Sequence, residues 1–413
     1  MNESDKKISR RSFIGRGTAG IIGAGIGLTG TAARLTGASP PQQSAEPADP
    51  QETKPMIREY RRLGRFGWKV SDISFGNAGM QDPSTLEYAI ERGINYVDTA
   101  RQYYDMEKII GQIFPSKRDK VFVTTKLDPP VITADVSEEA VTKAVDESLE
   151  RLNTDYIDCC LIHSVGDPNL GDRTRIENPN IYRAFEKAKK AGKIKGWGAS
   201  SHGPEVVEEF TWLIENTDID MIMPGMNFMT KGLEPVLAKA KEKDIAVVAM
   251  KTLSAAKKIV QKEYRKDNAL VRRLVLKWML AQPNVDTLAI TMRTFEQIDD
   301  YVSVSGQRTM TEQEQKMLIG YGRAIDREYC RPGCGGCITA CPHGVPIHDI
   351  LRYRLYYESY EQEKYAMQLY SRLPAAHRAE RCRACSGSCL GTCPFDIAIR
   401  SKLIEAHSML TLC

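Results

Sequence analysis

Eight short apolar runs, separated by longer amphipathic stretches, organise the chain between about Arg58 and Gly306. The runs are Ile73–Gly76, Tyr96–Thr99, Val121–Thr125, Tyr156–His163, Ile194–Ser200, Met221–Gly225, Ile245–Lys251 and Thr287–Met292. Between them lie helical patterns such as Ser137–Leu152, Glu205–Asn216, Gly232–Lys243 and Ala269–Gln282. Val-, Ile- and Leu-rich strands alternating with helices predict a parallel sheet buried under those helices. Eight such units in about 250 residues fit an α/β fold closed into a (β/α)8 TIM barrel, placed at 58–327. A doubly wound open sheet is the rival. The Gly76-Asn77-Ala78-Gly79 turn after the first strand lacks the G-x-G-x-x-G fingerprint of such sheets and disfavours it.

In a barrel of this kind the chemistry sits at the carboxyl ends of the strands. Strand two ends in Asp98 with Tyr103 five residues on, strand three in Lys126 and strand four in His163. An acid, a phenol, an amine and an imidazole thus converge on one mouth. The order Asp-Thr-Ala-x-x-Tyr (98–103), Thr-Lys (125–126) and Ile-His (162–163) resembles the catalytic tetrad of aldo/keto reductases. The resemblance runs from about Arg61 to Tyr301 and includes Leu63-Gly64-x-x-Gly67 and Gly192-Lys193-Ile194-Lys195-Gly196. It implies carbonyl/alcohol redox with Tyr103 as acid/base, Lys126 tuning it, Asp98 paired with Lys126, and His163 orienting the carbonyl. A free phenol, with a pKa near 10, is a poor acid at neutral pH, so Lys126 is expected to lower that of Tyr103. Each residue alone also has an ordinary structural explanation, such as a salt-bridged Asp–Lys pair or a satisfied His.

The resemblance further implies NADP(H), held by Ser200, Ser201, Asn227, Lys251 and Arg293. The match is incomplete here. Family members hold the nicotinamide amide with Ser, Asn and Gln, where this chain has Ser200, Ser201 and Met223. The aromatic that stacks on nicotinamide is replaced by Met250, and Thr291 and Gln297 stand where cations grip the 2′-phosphate. The Met250-Lys251 pair resembles the iron–sulfur branch of the family.

Eight of the eleven cysteines form two groups: Cys330, Cys334, Cys337, Cys341 and Cys382, Cys385, Cys389, Cys393. Each group closes on x₃-Cys-Pro and departs by one residue from the bacterial ferredoxin run C-x₂-C-x₂-C-x₃-C-P. One or two [4Fe-4S] clusters in a small, mostly helical ferredoxin-like domain at 328–413 are expected. The fourth cysteine of each group is free to reach the other cluster. Thiolates also suit zinc, although zinc sites built from four cysteines usually use well-separated C-x₂-C knuckles; disulfides are the third reading. Cys159 and Cys160 read as core, and the Tyr- and Leu-rich stretch Ile347–Leu373 as packing helices.

The chain begins with Ser9-Arg10-Arg11-Ser12-Phe13-Ile14 and a Gly-rich apolar run to Ala33, resembling a twin-arginine export signal at 1–38. A disordered basic tail is the alternative. Residues 39–57 read as a flexible linker. Net charge is +4 over 413 residues, much of it in that first segment, so nucleic acid is not an expected partner. The twin-arginine route carries folded, cofactor-loaded proteins, which suits a cluster protein bound for the periplasm. No permanent membrane span after cleavage is expected. The expected partners are the export machinery, a small carbonyl or alcohol such as a sugar, and a redox partner protein. The competing function is an electron-transfer or scaffold protein whose barrel is catalytically idle.

Overall fold

The computed structural model describes residues 54–76, 82–167, 172–256, 268–360 and 362–412. The twin-arginine segment, most of the linker and the Asn77-Ala78-Gly79 turn lie outside the described residues. Thr53–Cys413 forms one compact unit. No helix among the described residues is long and apolar enough to cross a membrane.

Two short strands, β1 (Tyr60–Arg62) and β2 (Lys69–Ser71), pair antiparallel ahead of the barrel. Eight parallel strands then close on themselves: β3 (Ile73–Gly76), β4 (Tyr96–Asp98), β5 (Phe122–Leu127), β6 (Ile157–Ile162), β7 (Ile194–Ser201), β8 (Met221–Pro224), β9 (Ala246–Ala249) and β10 (Thr287–Thr291). The predicted barrel is thus observed, with β10 pairing back onto β3.

Alternation along each strand divides the core. Tyr96, Phe122, Cys159, Leu161, Met221, Met223 and Val248 fill the barrel interior. Val97, Val123, Cys160, Ile162 and Ile222 point outward beneath the helices. Successive side chains face opposite ways, so one strand feeds both layers. The β1–β2 hairpin, which the sequence reading did not resolve, closes the amino-terminal end with Leu63 and Val70. Gly64 there has φ +38, and a Cβ would meet the Ala246 nitrogen at 2.3 Å, so only glycine fits.

Local signals set the helices around the barrel. Glu138–Leu152 starts at Ser137, whose hydroxyl accepts from the Ala140 N–H, and ends at Asn153 with φ 50. It buries Val141, Val145, Leu149 and Leu152 on one face.

Beyond the barrel, the helices Ile347–Ser359, Glu363–Ser371 and Ile399–Leu410 pack around Ile350, Tyr360, Tyr370, Ile399 and Leu403. Cys337, Cys382 and Cys389 belong to this second core. The first two helices lie across the barrel mouth. Tyr104 donates to Gln368 Oε1 at 2.7 Å, Lys251 Nζ donates to the Tyr356 hydroxyl at 2.7 Å, and Arg352 Nη1 sits 3.1 Å from His202 Nδ1. The C-terminal segment therefore forms the roof of the barrel.

Candidate active site and thiol groups

Strand register brings the four tetrad residues together. Asp98 ends β4 opposite Thr124, and Lys126 on β5 pairs with Leu161, two residues before His163. Lys126 is fully buried; its ammonium donates to Asp98 Oδ1 at 2.5 Å and to the Thr99 carbonyl at 2.7 Å. That ammonium stands 5.3 Å from the centre of the Tyr103 ring, which meets the His163 ring edge-on at 5.8 Å. Among the described residues His163 Nδ1 is buried without a hydrogen-bond partner, leaving a polar atom available to a ligand.

The electrostatics correct one expectation. Burial beneath the C-terminal helices raises Tyr103 well above the usual phenol range, and Asp98, Tyr365 and Tyr356 push the same way. Lys126 does not lower it. Burial also depresses the Lys126 ammonium and raises the Asp98 carboxyl, each only partly offset by the other. Burial, then the positive charges of Lys126, Lys251, Arg175 and Arg352, holds His163 well below its ordinary value, so it is a neutral imidazole.

The residues expected to hold a dinucleotide are placed less favourably. Ser201 donates to the Val165 carbonyl and accepts from the Gly203 N–H at 3.1 Å. Asn227 Nδ2 donates to Ser254 Oγ at 3.0 Å and the Tyr329 hydroxyl at 2.9 Å, while its Oδ1 accepts from the Met229 N–H. Asn227 thus ties the start of the C-terminal segment to the barrel. The Ser200 hydroxyl accepts a long bond, 3.4 Å, from the Ser164 N–H. Gln297 accepts from the Arg293 N–H at 2.9 Å. Met223 and Met250 are buried.

Two contributors were missed in the sequence. Arg352 and Tyr356, one turn apart on the Ile347–Ser359 helix, reach His202 and Lys251 from above. With Lys251, His202, Tyr329 and Cys330 they line a cavity of about 210 Å³ between barrel and roof. Lys251 has φ 59, a strained conformation for a side chain that branches into this space. The Arg-Tyr-x-x-Tyr spacing (352–356) was visible, but its targets, His202 and Lys251, lie 150 and 105 positions earlier.

The eight cysteines regroup in space. The neighbours that bear on Cys330 are Cys337, Cys334 and Cys393; those that bear on Cys382 are Cys341, Cys389 and Cys385. Each run therefore lends its last thiol to the other group. Cys341, Cys382, Cys385 and Cys389 line one small cavity, roofed by Val345, Ile347 and Leu403. Burial, reinforced by neighbouring thiols, pushes Cys330 up to about 12 and both Cys337 and Cys382 up to about 11. Arg352 and Arg400 offset this only in part, and clustered thiols of this kind are a donor set suited to metal. Among the described residues no three His, Cys, Asp or Glu side chains gather as for a single ion. Cys341 and Cys385 also accept 3.4 Å N–H···S bonds from Val345 and Gly387. Cys159 and Cys160 are buried core residues.

Such a barrel and thiol-rich roof define an oxidoreductase of the aldo/keto reductase type joined to an iron–sulfur module. Residues 80–273 match the aldo/keto reductase family, and residues 323–394 match the 4Fe-4S dicluster domain. The chain is 28% identical over 302 residues to the oxidoreductase YqkF of Bacillus subtilis, covering 62% of this chain and 94% of YqkF. It is 25% identical to the L-galactose dehydrogenase of Arabidopsis thaliana, covering 63% and 92%. An aldo-keto reductase of Klebsiella pneumoniae, solved in complex with NADPH, shares the fold at 23% identity and TM-score 0.53, covering 64% and 94%. The C-terminal segment lies beyond what the barrel matches.

Proposed function

We propose that the chain interconverts a carbonyl and an alcohol at the roofed barrel mouth, with Tyr103 as acid/base. We propose further that Cys330, Cys334, Cys337 and Cys393 hold one [4Fe-4S] cluster and Cys341, Cys382, Cys385 and Cys389 a second. The observation that carries the reading is the convergence of Asp98, Tyr103, Lys126 and His163 within one buried space beside a cavity that Cys330 lines.

Chemically, a carbonyl oxygen in this space meets a neutral imidazole and a protonated phenol. Burial raises the Tyr103 phenol, which stands ready to pass its proton to that oxygen as negative charge develops there. Lys126, paired with Asp98, fixes the local geometry beside the Tyr103 ring. The roof excludes water and strengthens each of these contacts.

NADP(H) is the hydride source proposed, NADPH being the nucleotide bound by the Klebsiella protein of the same fold; the clusters would pass single electrons. Ser200, Lys251 and Arg293 would hold it, with Lys251 exchanging its bond to Tyr356. Ser201 and Asn227, engaged within the protein, would shape the site. A sugar or another polyhydroxy carbonyl is the substrate class proposed, in line with the relative named for L-galactose. Export through the twin-arginine route to the periplasm is also proposed, on Arg10 and Arg11; Arg10→Lys/Arg11→Lys should keep the protein in the cytoplasmic fraction.

The burial of Tyr103 favours one rival, an electron-transfer protein with an idle barrel. A screen of carbonyls and sugars, with NADPH and with one-electron donors, separates the two. Tyr103→Phe should lower turnover by about 10²–10⁴ with iron and sulfide unchanged at about eight each. Unchanged turnover in that variant would remove Tyr103 from the chemistry.

A further inference from the structure

The two thiol groups face different surroundings. The first adjoins the barrel: Cys330 follows Tyr329, whose hydroxyl bonds Asn227 and Ser254, and it lines the cavity over the mouth. In the second, Cys382 and Cys389 are buried and Cys341 and Cys385 partly open, while the flanking Leu390 is 48% exposed.

Around this outer group the charge pattern changes. Between Ser371 and Arg400 the chain carries Arg372, Arg378, Arg381, Arg383 and Arg400 against only Glu380 and Asp396. Asp396 pairs outside the stretch, with Arg327 at 3.2 Å. None of the five arginines forms an ion pair among the described residues. Arg400 donates to the carbonyls of Cys382 and Arg383, both at 2.9 Å, and Arg378 to those of Leu373 and Ser371. Arg381 and Arg383 flank Cys382 and are exposed.

The barrel behaves otherwise. Arg61, Arg92, Arg118, Arg151, Arg173 and Arg273 each meet a carboxylate. Unpaired like charges within a few residues repel one another, and such a patch is a field that attracts an opposite surface.

We infer that the arginine-rimmed face around Cys382–Cys389 is the docking surface for a small acidic one-electron carrier protein. The inference rests on the reading that the thiol groups hold clusters. An apolar tip, Leu390, inside a ring of cations suits the small, transient, charge-steered contacts that electron carriers make. Each encounter moves one electron: the carrier is oxidised by one electron and the outer cluster is reduced by one. The inner thiol group, which takes Cys393 from the second run while the outer group takes Cys341 from the first, would then lie between that surface and the barrel mouth.

The test uses cluster-loaded protein and flavodoxin hydroquinone, an acidic flavoprotein, mixed anaerobically while the semiquinone band is followed. The second-order rate should fall at least tenfold between about 20 mM and about 0.5 M salt, as the Debye length shrinks from roughly 20 Å to about 4 Å. Arg381→Glu/Arg383→Glu should lower the low-salt rate at least tenfold, while reduction by dithionite and the resulting EPR signal stay as in the parent. Should that variant lose iron, Arg381→Gln/Arg383→Gln carries the comparison, with a fall of about threefold expected. A rate indifferent to both salt and charge would overturn the docking surface. So would co-sedimentation with phosphatidylglycerol vesicles that depends on Arg381 and Arg383 while the flavodoxin rate does not. Absent iron and sulfide in the parent would instead overturn the cluster reading itself.

Discussion

Two buried ion pairs, one in the barrel and one in its roof, respond to burial in opposite ways. In the barrel, Lys126 meets Asp98 at 2.5 Å, yet desolvation prevails: the Asp98 carboxyl is raised and the Lys126 ammonium lowered. In the roof, burial again opposes the charge on Asp349, but Arg352 and His348 outweigh it and hold that carboxyl well below the usual range. Arg352 contacts Asp349 directly and lies 3.9 Å from Asp167 and 3.1 Å from His202. The difference is one of support. A compact ammonium with one carboxylate and one carbonyl leaves both charges poorly stabilised, whereas a planar guanidinium spread over several acceptors locks its partner. Burial works against the charged forms of the barrel pair, and the roof pair is a clamp.

The largest expected effect comes from breaking the barrel pair. Lys126→Met leaves Asp98 buried without its ammonium, and unfolding free energy should drop by about 3–5 kcal/mol. Because the folded Asp98 carboxyl lies above its unfolded value, the folded state binds the extra proton. Its contribution is therefore present at acid pH and is lost as pH rises through the raised folded value. Denaturant melts of Lys126→Met against the parent across that window would show the variant recovering toward the parent at low pH. A uniform loss at every pH would mean that the pair is as locked as the one in the roof.

Asp349→Asn should cost less, about 2–3 kcal/mol, since Arg352 keeps a charge-assisted contact toward Asp167. Here the sign reverses. The folded carboxyl lies below its unfolded value, so its stabilisation is present above the usual carboxylate range and disappears as pH falls through the depressed folded value. The parent should thus lose more stability than Asp349→Asn on acidification. If the two acid limbs are parallel, Arg352 is not clamping the roof through Asp349.

The same contrast governs what could be read from the sequence. The barrel was legible, and so was the meeting of Asp98, Lys126 and His163, because strand ends put them on one rim whatever the loops do. The crossing of Cys341 and Cys393 followed from the closing Cys-Pro of each run. The Ile347–Leu373 stretch was read as packing helices, and it does pack; its charged edge was illegible because Arg352 and Tyr356 act on His202 and Lys251, distant in sequence. The lowered Tyr103 failed for the same reason: the expectation weighed Lys126 and did not include the roof that desolvates the phenol. The β1–β2 hairpin is only three residues per strand, too short for alternation to register.

The smallest effect, and the sharpest probe of the seam between the regions, concerns Tyr356. Burial alone would raise its phenol, as it does Tyr103, Tyr360 and Tyr365 nearby. Instead the charges of Lys251 and Arg352, with the 2.7 Å bond from Lys251, outweigh burial and set Tyr356 below the ordinary value, even with Asp349 opposing. The folded phenol therefore ionises before an unfolded one, so this term adds stability at alkaline pH and fades as pH falls through the folded value. At neutral pH Tyr356→Phe should cost only about 1 kcal/mol, from the lost hydrogen bond. With 13C-labelled tyrosine rings, one resonance should titrate ahead of the others and vanish in Tyr356→Phe. Lys251→Met should move that resonance to higher pH, because the removed ammonium favoured the phenolate while the burial remains. If all tyrosines titrate together in the parent, Lys251 does not hold Tyr356, and the roof is not seated on the mouth through this pair. If the early resonance survives Lys251→Met unmoved, Arg352 alone sets it, and the seam is made by the roof's own charges instead of by a bond between the two regions.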